Sequence, residues 1–359
     1  MNGPVAAQVS AAGRSALGCV GLFGPGSVPL LQSLFVPRSG VWDAHQPGPW
    51  VGRVQAADIT DEIVVRRVTE SASWWEITPL GSPALLAWLL EILVERGARR
   101  VDWSEWLELT EPTPGHAELA RLMIQTRTLK TAALLQRQYA GVLGAALARL
   151  ATRADPEERQ HLIAEWENWS HFARHLVEPW RVALAGPANV GKSTLLNALV
   201  GHERAITAPL PGTTRDLVTE YLAIAGWPVE MIDTAGLRPT EDEVEQAGME
   251  MARKAAAHAD LVLWLREAGT VAEPVPEAWS DRTLRVVTKI DLAIEPASGE
   301  GGMVGADEMP VSALEGTGLE ELRAAIVGRL VPCEPPPDVP LLASPRLVQL
   351  VREAGHPMA

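Results

Sequence analysis

The pattern of apolar and polar positions changes most clearly at about residue 180. From there to residue 332, short apolar runs alternate with helical patterns, and the runs lie at residues 182–185, 229–232, 261–265, 284–287 and 309–311. Strands that alternate with helices predict a mostly parallel sheet with helices on both faces. We therefore expect residues 180–332 to form an α/β domain, preceded by a helical segment and a small N-terminal α+β domain.

The N-terminal stretch, residues 1–105, mixes strand-like and helix-like patterns. Strands are predicted at residues 16–23, 62–68 and 74–78, and helices at 28–35 and 83–96. The second helix ends at Gly97, which is a favourable residue just after a helix C-terminus. Residues 36–57 are rich in Gly, Pro and Trp, and this composition predicts a loop.

Residues 106–179 have apolar positions at helical spacing. The pattern predicts one helical stretch over residues 117–150 and another over 157–177, with a break at 154–156. After residue 332 the chain becomes rich in proline, and residues 333–359 are interpreted as a tail with one short helix at 345–354.

Composition narrows the class of protein. The net charge of −14 argues against broad, non-specific binding to nucleic acid. The two cysteines, Cys19 and Cys333, are too few for a disulfide framework or a zinc site and are typical of a reducing compartment. The longest apolar run, residues 84–94, is too short to span a bilayer. We expect a cytoplasmic protein without a membrane span.

Residues 186–193, Gly-Pro-Ala-Asn-Val-Gly-Lys-Ser, match the P-loop pattern G-x4-G-K-S between a predicted strand and a predicted helix. The glycines let backbone N–H groups surround phosphates, and the helix N-terminus adds a positive field. Lys192 is expected to bridge the β- and γ-phosphates, and the Ser193 hydroxyl to bind Mg²⁺. The fold class is thus a Ras-like P-loop G domain.

Two further motifs are expected to complete the Mg²⁺ and γ-phosphate site. Asp233 ends the predicted strand 229–232, where an aspartate holds the magnesium shell, and the N–H of Gly236 can contact the γ-phosphate. Residues 211–216, Pro-Gly-Thr-Thr-Arg-Asp, lie where the first switch loop belongs, and Thr214 is its expected Mg²⁺ ligand.

The remaining motifs indicate the base. Thr288-Lys289-Ile290-Asp291 follows the strand 284–287, and Asp291 can accept hydrogen bonds from guanine N1 and N2, which adenine does not offer. Thr288 stands where Asn is more usual and keeps a small hydrogen-bonding side chain. Residues 312–314 follow the strand 309–311 and are expected to place a backbone N–H near guanine O6. The motifs therefore predict GTP.

The group that activates water is not evident from these motifs. Leu237 occupies the position of the glutamine that orients water in Ras, and its side chain cannot do so. Arg215 and Arg238 are nearby, but we interpret both as structural. The catalytic group must therefore come from elsewhere.

Residues 203–236 and 233–263 closely resemble the switch regions of the MnmE (TrmE) family of tRNA-modification GTPases, and Asn189 of the P-loop also matches that family. The resemblance implies activation by K⁺ and by dimerisation of G domains. It implies that K⁺ is held by Asn189 and by backbone oxygens around Ala208, Leu210 and Thr213, where a cation offsets charge between the β- and γ-phosphates.

The resemblance also implies that Glu245 activates water. From the residues alone, Glu245 is one of several acidic residues at a solvated helix start. The implied catalytic set is Glu245, Lys192, Asn189 and Thr213. The whole expected nucleotide site comprises Gly186, Asn189, Val190, Gly191, Lys192, Ser193, Thr194, Ala208, Thr213, Thr214, Asp233, Gly236, Thr288, Lys289, Asp291, Ser312, Ala313 and Leu314.

Residues 16–35 and 61–100 resemble the family's folate-binding, dimer-forming N-terminal domain, and 106–179 resemble the first part of its helical domain. Residues 78–82 depart from the family's His-Cys-His-Gly-Gly-like stretch, which argues against folate binding. The chain also ends without the family's Cys-x-Gly-Lys tail, and Cys333 is not an equivalent.

The resemblance implies a homodimer, an MnmG-like flavoprotein partner, and tRNA reached through that partner. Three hypotheses stay open. The chain is a GTPase of wobble-uridine modification, a diverged paralogue with a ribosome-assembly or other regulatory role, or a GTP-binding scaffold with negligible hydrolysis.

Overall fold

The computed structural model describes residues 3–46, 48–56, 59–69, 74–111, 113–202, 218–233, 257–292 and 304–356. Contacts divide the chain into two compact units, Met1–Ala117 and Glu118–Ala359. Within the described ranges, every helix is too short or too polar to cross a membrane.

The first unit contains a seven-stranded sheet in the order β3-β4-β5-β6-β2-β1-β7. Its strands are β1 (Val5–Gln8), β2 (Val20–Phe23), β3 (Phe35–Pro37), β4 (Trp50–Ala56), β5 (Ile59–Arg67), β6 (Trp74–Thr78) and β7 (Arg99–Arg100). Neighbours pair antiparallel except β1 and β7, which are parallel. The helices are α1 (Ser27–Gln32), α2 (Pro83–Glu95) and α3 (Trp103–Thr110).

The core of this unit lies on both faces of the sheet. Leucines of α2 pack with Leu22, Val65 and Ile77 on one face. Trp106 of α3 packs with Val5 on the other. The helix predicted at 83–96 is confirmed, and the chain leaves it through Gly97 at φ +98°.

The prediction of a loop over residues 36–57 is wrong at both ends of the stretch, which hold most of β3 and the whole of β4, whereas residues 38–46 and 48–49 contain no helix or strand, as predicted. Gly52 suggested a loop, but it lies inside β4, where a Cβ atom would collide with the Val36 carbonyl and the Phe35 ring. Glycine is needed there for close packing of the two strands. The helix predicted over 28–35 ends at Gln32, and β1 was not predicted.

Helices dominate the chain between the two sheets, as the spacing predicted. They are α4 (His116–Met123), α5 (Leu129–Arg137), α6 (Leu143–Thr152), α7 (Pro156–Glu167) and α8 (Ser170–Arg174), with a π-helical turn at Gln138–Val142. The single helix expected over 157–177 is interrupted, because Trp169 has ψ near 0° and leaves helical geometry. The interruption allows Phe172 to pack edge-on against Trp227 at 5.4 Å.

The second sheet has the order β13-β12-β11-β8-β10-β9. Its strands are β8 (Trp180–Ala185), β9 (Val218–Ile224), β10 (Trp227–Asp233), β11 (Leu261–Glu267), β12 (Thr283–Thr288) and β13 (Glu308–Val311). All neighbours are parallel except β9, an edge strand that pairs antiparallel with β10 and was not predicted. The mostly parallel sheet is confirmed.

Both faces of this sheet are buried, which is characteristic of parallel sheets. Along β8, Val182 and Leu184 face a core that includes leucines of α9 (Lys192–His202) and α10 (Leu319–Leu330). Ala183 and Ala185 alternate with them and face a second cluster that contains Trp279. The carboxyl ends of the parallel strands consequently meet at one edge of the sheet.

The C-terminal segment packs against the helices of the second unit. Gln138, which is fully buried, donates from Nε2 to the Val339 carbonyl at 3.3 Å and accepts from the Leu341 N–H at 3.1 Å. The last helix, α11 (Pro345–Gly355), packs on α6 and α7 and carries an ion pair from Arg352 to Glu167. Residues 339–355 therefore belong to the core of this unit.

Candidate functional site

The expected nucleotide residues that the structure describes lie at the carboxyl edge of the second sheet. The loop 186–191 follows β8, Asp233 ends β10, Thr288 ends β12, and Ser312 follows β13. Ligands of open α/β sheets bind outside this edge. The topology thus brings together residues from widely separated parts of the chain.

Three left-handed residues shape the loop after β8. Gly186 has φ +146°, Asn189 has φ +60° and Gly191 has φ +99°. A Cβ atom at Gly186 would collide with the Leu265 carbonyl oxygen, so a larger residue is excluded there by space as well as by dihedral angle. Asparagine tolerates the left-handed region better than most residues. Loops of this kind turn successive N–H groups inward and form anion-binding concavities.

Lys192 is the first residue of α9 and folds back over this loop. Its Nζ donates to the carbonyl oxygens of Gly186 at 2.8 Å and Pro187 at 2.7 Å. Burial of the ammonium group lowers the pKa of Lys192, and the negative charge of Asp233 opposes that shift. A buried cation beside an anion-binding loop favours a ligand with high negative charge, because such a ligand compensates its desolvation.

Ser193 and Asp233 form the other half of the phosphate side. The Ser193 hydroxyl donates to Asp233 Oδ2 at 2.6 Å, and Asp233 is buried. Hydroxyl and carboxylate oxygens are hard donors of the kind that Mg²⁺ binds in phosphate sites. The pair therefore fits an Mg²⁺ ion, with Ser193 as ligand and Asp233 fixing the surrounding shell.

Thr288 connects the guanine side to the phosphate loop. Its buried hydroxyl lies 2.6 Å from the Val190 carbonyl and 3.1 Å from the Arg266 carbonyl. A hydroxyl has one proton to donate, so the shorter contact is the stronger hydrogen bond. Threonine thus provides a tie between β12 and the P-loop at the position where asparagine is more usual.

The next residues of this motif follow a sharp turn. Lys289 has φ +58°, and its Nζ donates to Glu267 Oε2 at 2.7 Å. Asp291 lies in the 3₁₀ turn Ile290–Leu292 and is half-exposed, so its carboxylate is accessible to a base.

The loop after β13 is fixed by hydrogen bonds around Ser312. Its N–H donates to the Thr317 carbonyl at 2.9 Å, and its Oγ accepts from the Glu315 N–H at 3.1 Å. Because the Ser312 N–H is already used, the N–H that was expected near guanine O6 would have to come from Ala313 or Leu314. Leu314 is 77% exposed, which places its backbone at the surface of the site.

Comparison with known proteins agrees with this geometry. Residues 181–292 match the family of 50S ribosome-binding GTPases. The tRNA modification GTPase MnmE of Nitratidesulfovibrio vulgaris strain DP4 is 32% identical over 378 residues, which cover 90% of this chain and 80% of that protein. MnmE of Thermus thermophilus is 31% identical, and the match covers 91% of this chain and 82% of that protein. MnmE of Rhodopseudomonas palustris is 46% identical over a shorter match, which covers 40% of this chain and 35% of that protein.

The chain belongs to the MnmE family of tRNA modification GTPases. It is a P-loop GTP hydrolase, and the resemblance noted from its switch sequences is confirmed. In this MnmE-family chain, the structure brings the loop 186–191, Lys192, Ser193, Asp233 and Thr288 to one edge of the sheet. Thr194 is exposed on the first turn of α9.

Several expected residues lie outside the described residues, so their roles stay predictions. They are the switch residues and the expected general base: Ala208, Leu210, Thr213, Thr214, Gly236 and Glu245.

One buried charged pair beside the expected guanine side was not predicted. Arg266, in β11, binds both carboxylate oxygens of Glu308, in β13, and both side chains are only 8% exposed. The hydrogen bond between them is the largest cause that raises the pKa of Arg266 and lowers that of Glu308. Arg266 also donates to the Thr270 carbonyl at 3.1 Å, so it braces the loop after β11. The feature of the sequence that could have indicated this pair is Arg266, a charged residue inside the otherwise apolar strand β11.

Proposed function

We propose that this GTPase acts in the modification of wobble uridine in tRNA, with hydrolysis of GTP to GDP and phosphate stimulated by K⁺. The observation that carries the proposal is the extent of the similarity. The match to MnmE relatives covers 90% of the chain and therefore includes most of the N-terminal unit, whereas the GTPase family matches residues 181–292 alone.

In this proposal, separate groups of residues hold the phosphates, the Mg²⁺ ion and the guanine base of GTP. The loop 186–191 and Lys192 hold the phosphates, and Ser193 and Asp233 hold Mg²⁺. The metal neutralises charge on the phosphate oxygens when it is bound. Asp291 selects guanine, and Thr288 keeps its strand attached to the P-loop. Ala313 or Leu314 supplies the backbone N–H for guanine O6.

The proposed K⁺ site is centred on Asn189, with backbone oxygens around Ala208, Leu210 and Thr213. Asn189 is exposed in the left-handed region at the tip of the P-loop, where its side chain is accessible to an ion. Glu245 is proposed to orient the attacking water, because Leu237 cannot. A cation at this place would stabilise charge that develops between the β- and γ-phosphates.

The proposed partners follow from the family. A second copy of the chain would complete the K⁺-dependent G-domain dimer, and an MnmG-like flavoprotein would supply the chemistry on tRNA. Folate is not included, because the segment that differs from the family's His-Cys-rich stretch begins at Thr78, the last residue of β6, and offers neither imidazole nor thiol.

This same departure favours a second candidate function, a diverged paralogue that hydrolyses GTP in a regulatory role such as ribosome assembly. Residues 78–82 end in a serine N-cap position before α2, and Leu80 among them is exposed. A folate titration tests the departure itself. Binding would show that residues 78–82 still permit the family's folate site and would count against the paralogue.

The deciding experiment is analysis of hypermodified uridine in tRNA from cells that lack this chain. We expect the modification to be lost, to return with the wild-type gene and with Ser280→Ala, and to stay absent with Ser193→Ala. Ser280 is an exposed serine in the 3₁₀ turn Glu277–Arg282 and is the matched control. Normal modification in the deleted cells would exclude the first function.

The mechanism is tested separately by hydrolysis rates in KCl and NaCl. We expect faster hydrolysis in KCl, and a large loss of rate in Glu245→Ala. If K⁺ gives no acceleration and Glu245→Ala hydrolyses GTP normally, the proposed water activation is wrong. Negligible hydrolysis under both conditions would indicate a GTP-binding scaffold.

A further inference from the structure

Two histidines and an aspartate lie together at the amino end of the second sheet, at the opposite edge from the P-loop. His171 is on α8 and His175 is its C-cap, so the two have the i, i+4 spacing that places side chains on one helical face. Asp260 directly precedes β11. One ligand atom from each residue lies within 4.8 Å of the others.

The orientation of His175 is set by its neighbours. Its Nδ1 lies 3.1 Å from the Glu178 carbonyl oxygen, and a carbonyl can only accept, so Nδ1 carries the proton. The ring also stacks on Trp180, with centroids 3.6 Å apart. A histidine that donates from one nitrogen to a backbone carbonyl presents the lone pair of the other, as metal-bound histidines do.

Asp260 is held in a complementary way. Its Oδ2 accepts from the Arg181 N–H at 2.8 Å, and its Oδ1 lies 3.6 Å from His175 Nε2. His175 Nε2 and Asp260 Oδ1 therefore face each other across a gap of 3.6 Å that suits a cation.

We propose that His171, His175 and Asp260 form a binding site for a divalent transition-metal ion such as Zn²⁺. Two imidazoles and one carboxylate form a common three-residue donor set for zinc, with water completing the coordination. Ligands of a tetrahedral zinc ion lie about 3.3 Å apart for metal–ligand bonds of about 2.0–2.1 Å. Rotation of the exposed His171 side chain closes the remaining distance.

The small number of cysteines does not exclude this site, because its ligands are two imidazoles and a carboxylate. The metal would join α8, which leads from the helices into β8, to the start of β11. Its role would be separate from GTP hydrolysis, because the site lies at the amino edge of the sheet, away from the P-loop edge.

Arg174 competes for the same place. Its Nη2 lies 3.4 Å from His175 Nε2, and its Nε lies 3.4 Å from Glu178 Oε2. The Arg174 side chain is half-exposed and can move toward Glu178 when a metal ion enters. Because Arg174 and a metal ion would compete for His175 Nε2, removal of Arg174 should strengthen metal binding. A cluster that binds no metal would show no such effect.

The test is competition titration of Zn²⁺ against a chromophoric chelator. The full chain is first freed of transition metals and is then saturated with Mg²⁺ and GDP, which block the nucleotide site. We expect a 1:1 complex that binds at least tenfold more weakly in His171→Ala and unchanged in His161→Ala. His161 is an exposed histidine of α7 and is the matched control. We expect Arg174→Gln to bind several-fold more tightly than the wild type.

Two further measurements distinguish loss of metal binding from misfolding of a variant. Zn²⁺ should raise the Tm of the wild type and of His161→Ala but leave that of His171→Ala unchanged, because a ligand stabilises only the state that binds it. Bound Co²⁺ should show an absorption spectrum that changes in His171→Ala. The proposal is overturned if the wild type binds Zn²⁺ no more tightly than a folded His171→Ala variant.

Discussion

The strands of the two sheets differ in how well they can be predicted from local sequence patterns. In the second sheet, four of the five parallel strands, β8, β10, β12 and β13, end in a short motif with its own chemistry, and the predicted positions of all five match the observed strands closely. In the first sheet, β3 and β4 border a stretch that is rich in Gly, Pro and Trp and resembles a loop. Pairing with neighbouring strands, rather than the local pattern of each segment, defines those strands.

The difference follows from what each sheet must do. A nucleotide site needs particular atoms at particular chain positions, so the P-loop is constrained residue by residue. The first sheet needs close packing, which many sequences satisfy. We therefore expect changes at the P-loop edge to reduce activity strongly, and changes in the first unit to reduce stability with little effect on hydrolysis.

The largest effect is expected from Lys192→Ala. Loss of the ammonium group that lies across the P-loop removes a fixed charge beside the phosphates, and the rate of GTP hydrolysis should fall by about 10²–10³-fold. Lys130→Gln is the control, because Lys130 pairs with Glu334 and stacks over Trp227, away from the P-loop edge. A steady-state phosphate-release assay measures both. Hydrolysis within about twofold of wild type in Lys192→Ala would contradict the assignment.

The next effect concerns the buried pair Arg266–Glu308. Arg266→Met leaves the carboxylate of Glu308 buried without its partner, which should cost about 3–5 kcal/mol. The double variant Arg266→Met/Glu308→Leu should recover most of this loss. Urea unfolding followed by tryptophan fluorescence measures both variants. An unchanged midpoint in the single variant would show that the pair does not brace this edge.

Thr288→Val tests the tie between β12 and the P-loop. The variant keeps the shape but loses the hydrogen bond to the Val190 carbonyl, and GTP binding should weaken by about 1–2 kcal/mol. Thr288→Asn should restore binding. Thr283→Val, at the other end of the same strand, removes a bond to the Trp279 carbonyl and should leave GTP affinity unchanged. Equal affinity in Thr288→Val and Thr283→Val, measured by fluorescent-nucleotide titration, would exclude the tie.

Gly52→Ala tests whether a change in the first unit alters stability without altering GTP hydrolysis. The added methyl group collides with β3, so stability should fall by about 1–3 kcal/mol while the hydrolysis rate stays unchanged. Gly3→Ala is the control, because its Cβ would have space. A parallel loss of hydrolysis, measured at a temperature where the variant is folded, would show that the two units depend on each other.

The motifs predicted the second sheet and its phosphate edge because the P-loop, the Asp233 strand end and the Thr288 motif each carry local constraints. They did not predict β9, whose pairing with β10 depends on a neighbour rather than on its own pattern. The Arg266–Glu308 pair and the His171–His175–Asp260 cluster were missed for a related reason. Each joins residues from separate segments of the chain, and only the folded sheet brings them together.

Guanine selection by Asp291 is the central claim of this account, because it turns a phosphate loop into a GTP site. The most direct measurement is nucleotide affinity of the wild type and of Asp291→Asn for GTP, ATP and xanthosine triphosphate. We expect the wild type to prefer GTP strongly, and Asp291→Asn to lose GTP and gain xanthosine triphosphate, since an amide can donate to the xanthine 2-oxygen. A wild type that binds ATP as tightly as GTP, or an Asp291→Asn variant with unchanged preference, would contradict the account.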